Sequence, residues 1–213
     1  MKLLAIQLAL LSAFGHRAFA QKNTEKGLVL FVGSSMTGRF EPHKAFPKLK
    51  TQNMGKDGLG SDGLLANVES VIALNPQKIF LEIGINDLLM GTGLGNLKSN
   101  YSQIIDHLQL ALPKCTIFLQ TMLPVGDIVM NPNDTKNNRN QDAEFVPLHK
   151  NDEIIEFNYF LQKLANERKL KLINLHSSFL KKGSLNQSYD SGDGIHINKK
   201  GYKRWAKLLK PYL

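Results

Sequence analysis

The chain has 213 residues, 42% hydrophobic and 21% charged, which fits one domain with a substantial core and excludes a disordered or low-complexity polymer. Its 27 lysines and arginines exceed 18 acids, a formal charge of +9, but the lysines are scattered. Short clusters at Lys169 and Lys171, Lys181-Lys182 and Lys199-Lys200 do not form the basic-aromatic stripe of a nucleic-acid binder.

The first segment reads as a leader. Met1-Lys2 precedes an apolar run from Leu3 to Phe14, and His16-Arg17-Ala18-Phe19-Ala20 closes it with small residues. A basic start, a short apolar core and a small-x-small ending predict a secretory signal peptide over residues 1–20, cleaved after Ala20. The run is too short for a permanent bilayer helix. Nothing after Phe31 is apolar enough for one, so no stable membrane insertion is expected. Residues 21–213 are expected to form one exported domain, secreted or periplasmic. Losing Lys2 and Arg17 leaves 25 basic against 18 acidic residues, a formal +7.

Apolar runs of strand length then alternate with segments of helical period. Strands are predicted at Leu28–Val32, Lys78–Ile83, Thr116–Gln120 and Leu170–Leu175, with a short extra one near Lys50–Asn53. Helices are predicted at Asp62–Leu74, Leu97–Leu112, Asp152–Lys169 and Asn198–Leu209. Leu64, Leu65, Val68, Val71 and Ile72 recur at spacings of three and four, so the first of these helices has one apolar face, ended by Asn75-Pro76. The strands are continuous apolar runs, as when helices cover both faces of a sheet, and the pattern predicts a three-layer α/β/α sandwich around a parallel sheet of about five strands. Cys115, the one cysteine, opens a strand run and cannot form an internal disulfide. From Gly126 to Lys150 the chain is polar and Asn-rich, a long loop expected beyond the carboxyl ends of the strands, where open α/β sheets bind ligands. Asn133-Asp134-Thr135 and Asn186-Gln187-Ser188 match the N-glycosylation pattern, which matters only in a secretory pathway that glycosylates.

Near the C-terminus stands Asp193-Gly194-Ile195-His196. An acid three residues before a histidine can reach its ring and fix which nitrogen carries the proton, and such a histidine is a general base in need of a nucleophile. Of the six histidines, His16 falls in the leader, His107 in a helical segment, and His43, His149 and His176 lack an acid three residues upstream. A serine pair, Gly33-Ser34-Ser35-Met36-Thr37, follows the first strand. Alone, that serine would be read as a helix N-cap.

Four blocks fall in order: Gly33-Ser34-Ser35-Met36-Thr37, Asn53-Met54-Gly55-Lys56-Asp57-Gly58, Gly84-Ile85-Asn86-Asp87-Leu88 and Asp193-Gly194-Ile195-His196. Together they resemble the signature blocks of the SGNH hydrolases, also called GDSL-like lipases and acylhydrolases, from about Leu28 to Leu209. The resemblance implies the flavodoxin-like form of the sandwich and a catalytic triad of Ser35, His196 and Asp193. It also implies an oxyanion hole made by the backbone N–H groups of Ser35 and Gly58 and the side-chain amide of Asn86. Ser34 stands where the family has aspartate, and position in the block selects Ser35 as nucleophile.

Gly58-Leu59-Gly60-Ser61-Asp62-Gly63 matches G-x-G-x-x-G, but its polar lead-in lacks the buried strand that a dinucleotide site requires. With no H-E-x-x-H and no cysteine cluster, neither cofactor nor metal is expected. The expected activity is hydrolysis of a small-molecule or glycan ester, with a short acyl group such as acetyl on a carbohydrate, because the long loop is polar. A lysophospholipid or longer acyl ester, transfer to an alcohol instead of water, and a catalytically inactive glycan-binding protein on the same fold are the alternatives.

Overall fold

The computed structural model describes residues 27–126 and 150–213. The leader with its Ala20 cleavage site, the interior of the Asn-rich loop and the Asn133 sequon lie outside the described residues. Five strands form one parallel sheet: β1 (Val29–Gly33), β2 (Thr51–Gly55), β3 (Lys78–Glu82), β4 (Thr116–Gln120) and β5 (Lys171–Ile173), in the order β2-β1-β3-β4-β5. The continuous apolar runs become buried strands because both sheet faces are covered; Val29 to Val32 are between 0 and 4% exposed.

On one face Leu30, Val32, Ile79, Leu81, Ile117 and Leu119 pack against four helices: α3 (Ser61–Ala66), α4 (Val68–Ile72), α6 (Leu94–Ala111) and α7 (Lys150–Glu167). On the other, Phe31, Phe80 and Phe118 stack across adjacent strands with centroids 5.1 and 4.6 Å apart. This aromatic row packs with α1 (Ser35–Gly38) and α9 (Lys199–Leu209), whose Trp205 is fully buried and donates from Nε1 to Gln120 Oε1 at 2.7 Å. Emptying the middle of the row by Phe80→Ala should cost about 3–5 kcal/mol. Among the described residues no helix is long and apolar enough to cross a membrane.

Among the described residues the remaining pieces are short: α2 (Pro42–Ala45), α5 (Ile85–Leu89), α8 (His176–Phe179), a hairpin of β6 (Leu180–Lys181) and β7 (Ser184–Leu185), and a closing 3-10 turn (Lys210–Tyr212). Two expectations need correction. The helix predicted over Asp62–Leu74 is two helices, because Asn67 leaves helical geometry at φ −117°, ψ 16° and its amide bonds back to the Gly63 carbonyl. The strand predicted over Leu170–Leu175 is confined to Lys171–Ile173; beyond it the Leu175 and His176 N–H groups both turn to Thr121 Oγ1. The strand expected near Lys50–Asn53 runs Thr51–Gly55, a half-exposed sheet edge.

The strand order decides where chemistry can sit. The chain leaves β1 for the edge, then returns past it to form β3, so the loops after β1 and β3 diverge and open a crevice at the carboxyl edge. Ser35 follows β1 and Asn86 follows β3.

Candidate active site

Gly33 ends β1 in register with Gly55 and Glu82. A Cβ there would lie 2.0 Å from the Glu82 carbonyl oxygen and 2.4 Å from Thr37 Oγ1, so the turn requires glycine. Ser34 follows in extended conformation as the N-cap of α1, and Ser35 is the first helical residue. A first-turn N–H has no intrahelical acceptor. Among the described residues, neither this N–H nor that of Gly58 meets a backbone acceptor. The turn is pinned from two sides. Asn53 Nδ2 donates to the Thr37 and Phe40 carbonyls, both at 2.7 Å, and the Tyr202 hydroxyl donates to the Met36 carbonyl at 2.9 Å.

The histidine arrives on a self-bonded loop. Asp190 Oδ1 accepts the N–H groups of Gly192 and Gly194, a bridge joins Asp190 to Ile197, and Asn198 caps α9 by accepting from the Lys200 and Gly201 N–H groups at 2.9 and 3.1 Å. This sets His196 Nε2 2.8 Å from Ser35 Oγ, across 161 residues of sequence. His196 Nδ1 lies 2.6 Å from Asp193 Oδ2. The other carboxylate oxygen, Oδ1, accepts the N–H groups of His196 (2.8 Å) and Ile195 (2.9 Å) and the Ser191 hydroxyl (3.1 Å).

Burial alone would raise the Asp193 carboxyl. Hydrogen bonds from the His196 ring and from the His196 and Ile195 N–H groups outweigh it and hold Asp193 well below the usual carboxylate range. An ionised carboxylate only accepts, so Nδ1 carries the ring proton and, in the neutral imidazole, Nε2 is free to accept from Ser35. Ser34, the other serine of the pair, is fully buried, and its Oγ has no hydrogen-bond partner among the described residues.

Asn86 enters from β3. Gly84, at φ +130°, turns the chain into α5 where a Cβ would meet Met122 at 2.7 Å. The Asn86 amide donates to the Leu59 carbonyl at 2.9 Å, which fixes it beside Gly58. One amide N–H is thereby used, and a primary amide carries a second one to donate.

Behind this contact the sequence reading missed a buried clamp. Asp87, 1% exposed, accepts the Ser61 N–H at 3.0 Å on each oxygen and a short bond from the Ser61 hydroxyl, which in turn accepts from Asn100 Nδ2 at 3.0 Å. Burial raises the Asp87 carboxyl and the Ser61 bonds oppose that shift. Glu82 was also missed. It is 1% exposed at the end of β3, its Oε2 has no hydrogen-bond partner among the described residues, and burial pushes its carboxyl up to about 7. Among the described residues, no three His, Cys, Asp or Glu side chains gather as a metal-binding group.

Comparison with known proteins bears on the same segments. No curated protein sequence matches the chain. Solved structures do match. A Bacteroides fragilis NCTC 9343 protein designated an acylhydrolase superposes with TM-score 0.72 at 22% identity, over 89% of this chain and 87% of that one. A GDSL-like lipase from Bacteroides thetaiotaomicron VPI-5482 gives 0.71 at 22%, over 92% and 91%. The acetyl xylan esterase AlAXEase gives 0.68 at 19%, over 87% and 99%. At these identities the likeness establishes a shared fold. The family model of the GDSL-like lipases and acylhydrolases matches residues 37–204, from two residues after Ser35 to beyond His196. The chain therefore belongs to the GDSL-like lipase/acylhydrolase family and, with it, to the hydrolases that act on esters.

Proposed function

We propose that this protein is an exported serine esterase that removes short acyl groups, acetyl above all, from carbohydrates through an acyl-enzyme on Ser35. The observation that carries this reading is the hydrogen-bonded line from Asp193 through His196 to Ser35, at 2.6 and 2.8 Å. His196 Nε2 takes the Ser35 proton as Oγ bonds to the acyl carbon, and the carbonyl electron pair moves onto oxygen. The N–H groups of Ser35 and Gly58 and the Asn86 amide receive that oxyanion; such a donor is typically worth ~10²–10³ in rate. Collapse expels the alcohol, which leaves with the proton from His196. Water then repeats the two steps, releasing the acid and restoring the Ser35 hydroxyl. Asp193 holds the ring in the required tautomer and stabilises the imidazolium.

Limited space beside the site supports a short acyl group. Met36, Ile85 and Ile195, chain neighbours of Ser35, Asn86 and His196, border a small, partly open cavity of about 10 Å³, close to the room one water needs, with the Glu82 carboxyl in its lining. A methyl group is the scale that fits. An acetyl xylan esterase occurs on the same fold, which is precedent for acetyl removal from a glycan. Export rests on the leader of residues 1–20; the mass of the exported chain should begin at Gln21. The test is acetate release from acetylated oligosaccharides, with p-nitrophenyl acetate compared against the octanoate, in wild type and Ser35→Ala. Expected are turnover by wild type alone and a preference for acetate. A preference for octanoate would move the substrate to long acyl esters, and a folded wild type inactive on all of them would favour a glycan-binding role.

A further inference from the structure

A groove of about 800 Å³ lies between α2 and the first two turns of α9, within the size range of small-molecule sites. Ser35, Asp193 and His196 do not themselves line it, but its wall is one hydrogen bond or one residue removed from them. Ser191, whose hydroxyl bonds Asp193 Oδ1, lines it, and so does Ile197, next in sequence to His196. Arg39, whose N–H bonds the Ser35 carbonyl at 2.9 Å one helical turn along, belongs to the same wall.

Its floor and rim differ in character. The floor includes Phe40, Ile197 and Tyr202, and the Tyr202 ring is stacked on Phe40 and Trp205 at 6.2 and 5.9 Å and held by its hydroxyl bond to Met36. Among the described residues the rim carries Arg39, Lys44, Lys199 and Lys203 against one acid, Glu41. Lys44 is neutralised by its ion pair with Glu41. Among the described residues Arg39, Lys199 and Lys203 enter no ion pair, and all three are exposed. Three cations in excess of the acid, around a floor whose partly exposed ring is Tyr202 backed by the buried Phe40 and Trp205, complement a chain of pyranose rings. Such a chain lays its apolar C–H faces on the floor and presents carboxylates to the rim.

We propose that this groove binds the glycan side of the ester and selects carboxylate-bearing glycans, so that acylated oligouronates are preferred over neutral acylated oligosaccharides. The proposal rests on the esterase reading above and specifies its substrate class. Each exposed ion pair contributes a factor of about 1.5 to 5, so three together contribute between about threefold and a hundredfold, about tenfold in the middle of that range. The contribution is made to ground and transition state alike and belongs in KM.

The experiment compares acetate release from chemically O-acetylated oligogalacturonate and from an O-acetylated neutral xylo-oligosaccharide at low salt. Wild type should show kcat/KM about tenfold higher on the acidic substrate, with the difference in KM, shrinking as salt rises toward about 0.5 M and charges are screened. The triple variant Arg39→Gln, Lys199→Gln, Lys203→Gln should lose the preference. Lys203→Glu, a single reversal at an exposed position, should lower the ratio about fivefold, and Lys203→Arg should retain it. Calorimetric binding of unacetylated oligogalacturonate to Ser35→Ala reads the groove without turnover. Equal kcat/KM on the two substrates, or a preference that survives the triple variant, would overturn the proposal. Capture of Ser35→Ala by phosphatidylglycerol vesicles without oligogalacturonate binding would overturn it in favour of a lipid surface. Oligogalacturonate binding by Ser35→Ala with no turnover by wild type would instead overturn the esterase reading and leave the groove's ligand standing.

Discussion

Replacing Asp193 by asparagine tests the reasoning about the ring's proton more sharply than deleting the side chain does. Oδ1 accepts from three donors, the His196 and Ile195 N–H groups and the Ser191 hydroxyl, while Oδ2 faces Nδ1 at 2.6 Å. An asparagine must put its carbonyl oxygen where the three donors converge, which turns its NH₂ toward Nδ1. That N–H then donates to the ring, the ring proton moves to Nε2, and Nε2 can no longer accept from Ser35 Oγ 2.8 Å away. Flipping the amide would break three hydrogen bonds at roughly 1 kcal/mol each and set N–H against N–H, so the competent arrangement is populated below about 1%. With the carboxylate charge also gone from beside the imidazolium, kcat should fall ~10³–10⁴, about 4–5.5 kcal/mol of barrier, with KM little changed. Steady-state hydrolysis of p-nitrophenyl acetate by the folded variant measures this. Activity within tenfold of wild type would refute the assigned tautomer.

Three further substitutions separate site, support and core. Ser34→Ala removes a buried hydroxyl with no partner, so stability should hold or rise by up to about 1 kcal/mol and activity should persist; a loss matching Ser35→Ala would reverse the choice of nucleophile. Ser61→Ala leaves the Asp87 carboxylate one bond short and should cost about 1.5–3 kcal/mol in urea unfolding. It should also lower kcat more than it raises KM, because Asn86 is held by the same segment; a pure KM effect would contradict that role. Glu82 holds its proton in the fold up to about pH 7, whereas in the unfolded chain it ionises near 4.5. The folded state therefore binds the extra proton between those values, and stability falls as pH rises through them, by about 3 kcal/mol in all. Glu82→Gln should abolish that decline in denaturant titrations; an unchanged slope would show that Glu82 is not its source.

The strands were readable because burial on both faces writes them as continuous apolar runs, and Thr116–Gln120 has the predicted bounds. The half-exposed edge strand Thr51–Gly55 left a fainter trace, since Gln52 faces solvent and the run is polar. The apolar stripe from Leu64 to Ile72 continues across Asn67, so periodicity alone could not reveal that the helix is interrupted there. Helices of four or five residues such as α1, α2 and α8 are too short to display a period. The hairpin had a local cue that went unread: Lys182-Gly183, both at positive φ, form the two-residue turn between Lys181 and Ser184.

At the site, the Asp193–His196 spacing is local and therefore visible, and the motif order pointed to Ser35 and Asn86. Their supports are not local. Ser61 meets Asp87 across 26 residues and Tyr202 meets Met36 across 166, with no pattern in either segment to announce the pairing. Glu82 sits inside an apolar run, where its type was the anomaly; a lone acid between Leu81 and Ile83 was the available signal for a buried carboxyl.

Covalent labelling tests most directly whether Ser35 is an activated nucleophile. A fluorophosphonate probe, followed by peptide mass analysis, should give one adduct on Ser35 in wild type, none on Ser35→Ala, and strongly slowed labelling in His196→Ala. A folded wild-type protein that takes up no probe, or carries it on Ser34 or elsewhere, would contradict the serine-esterase mechanism.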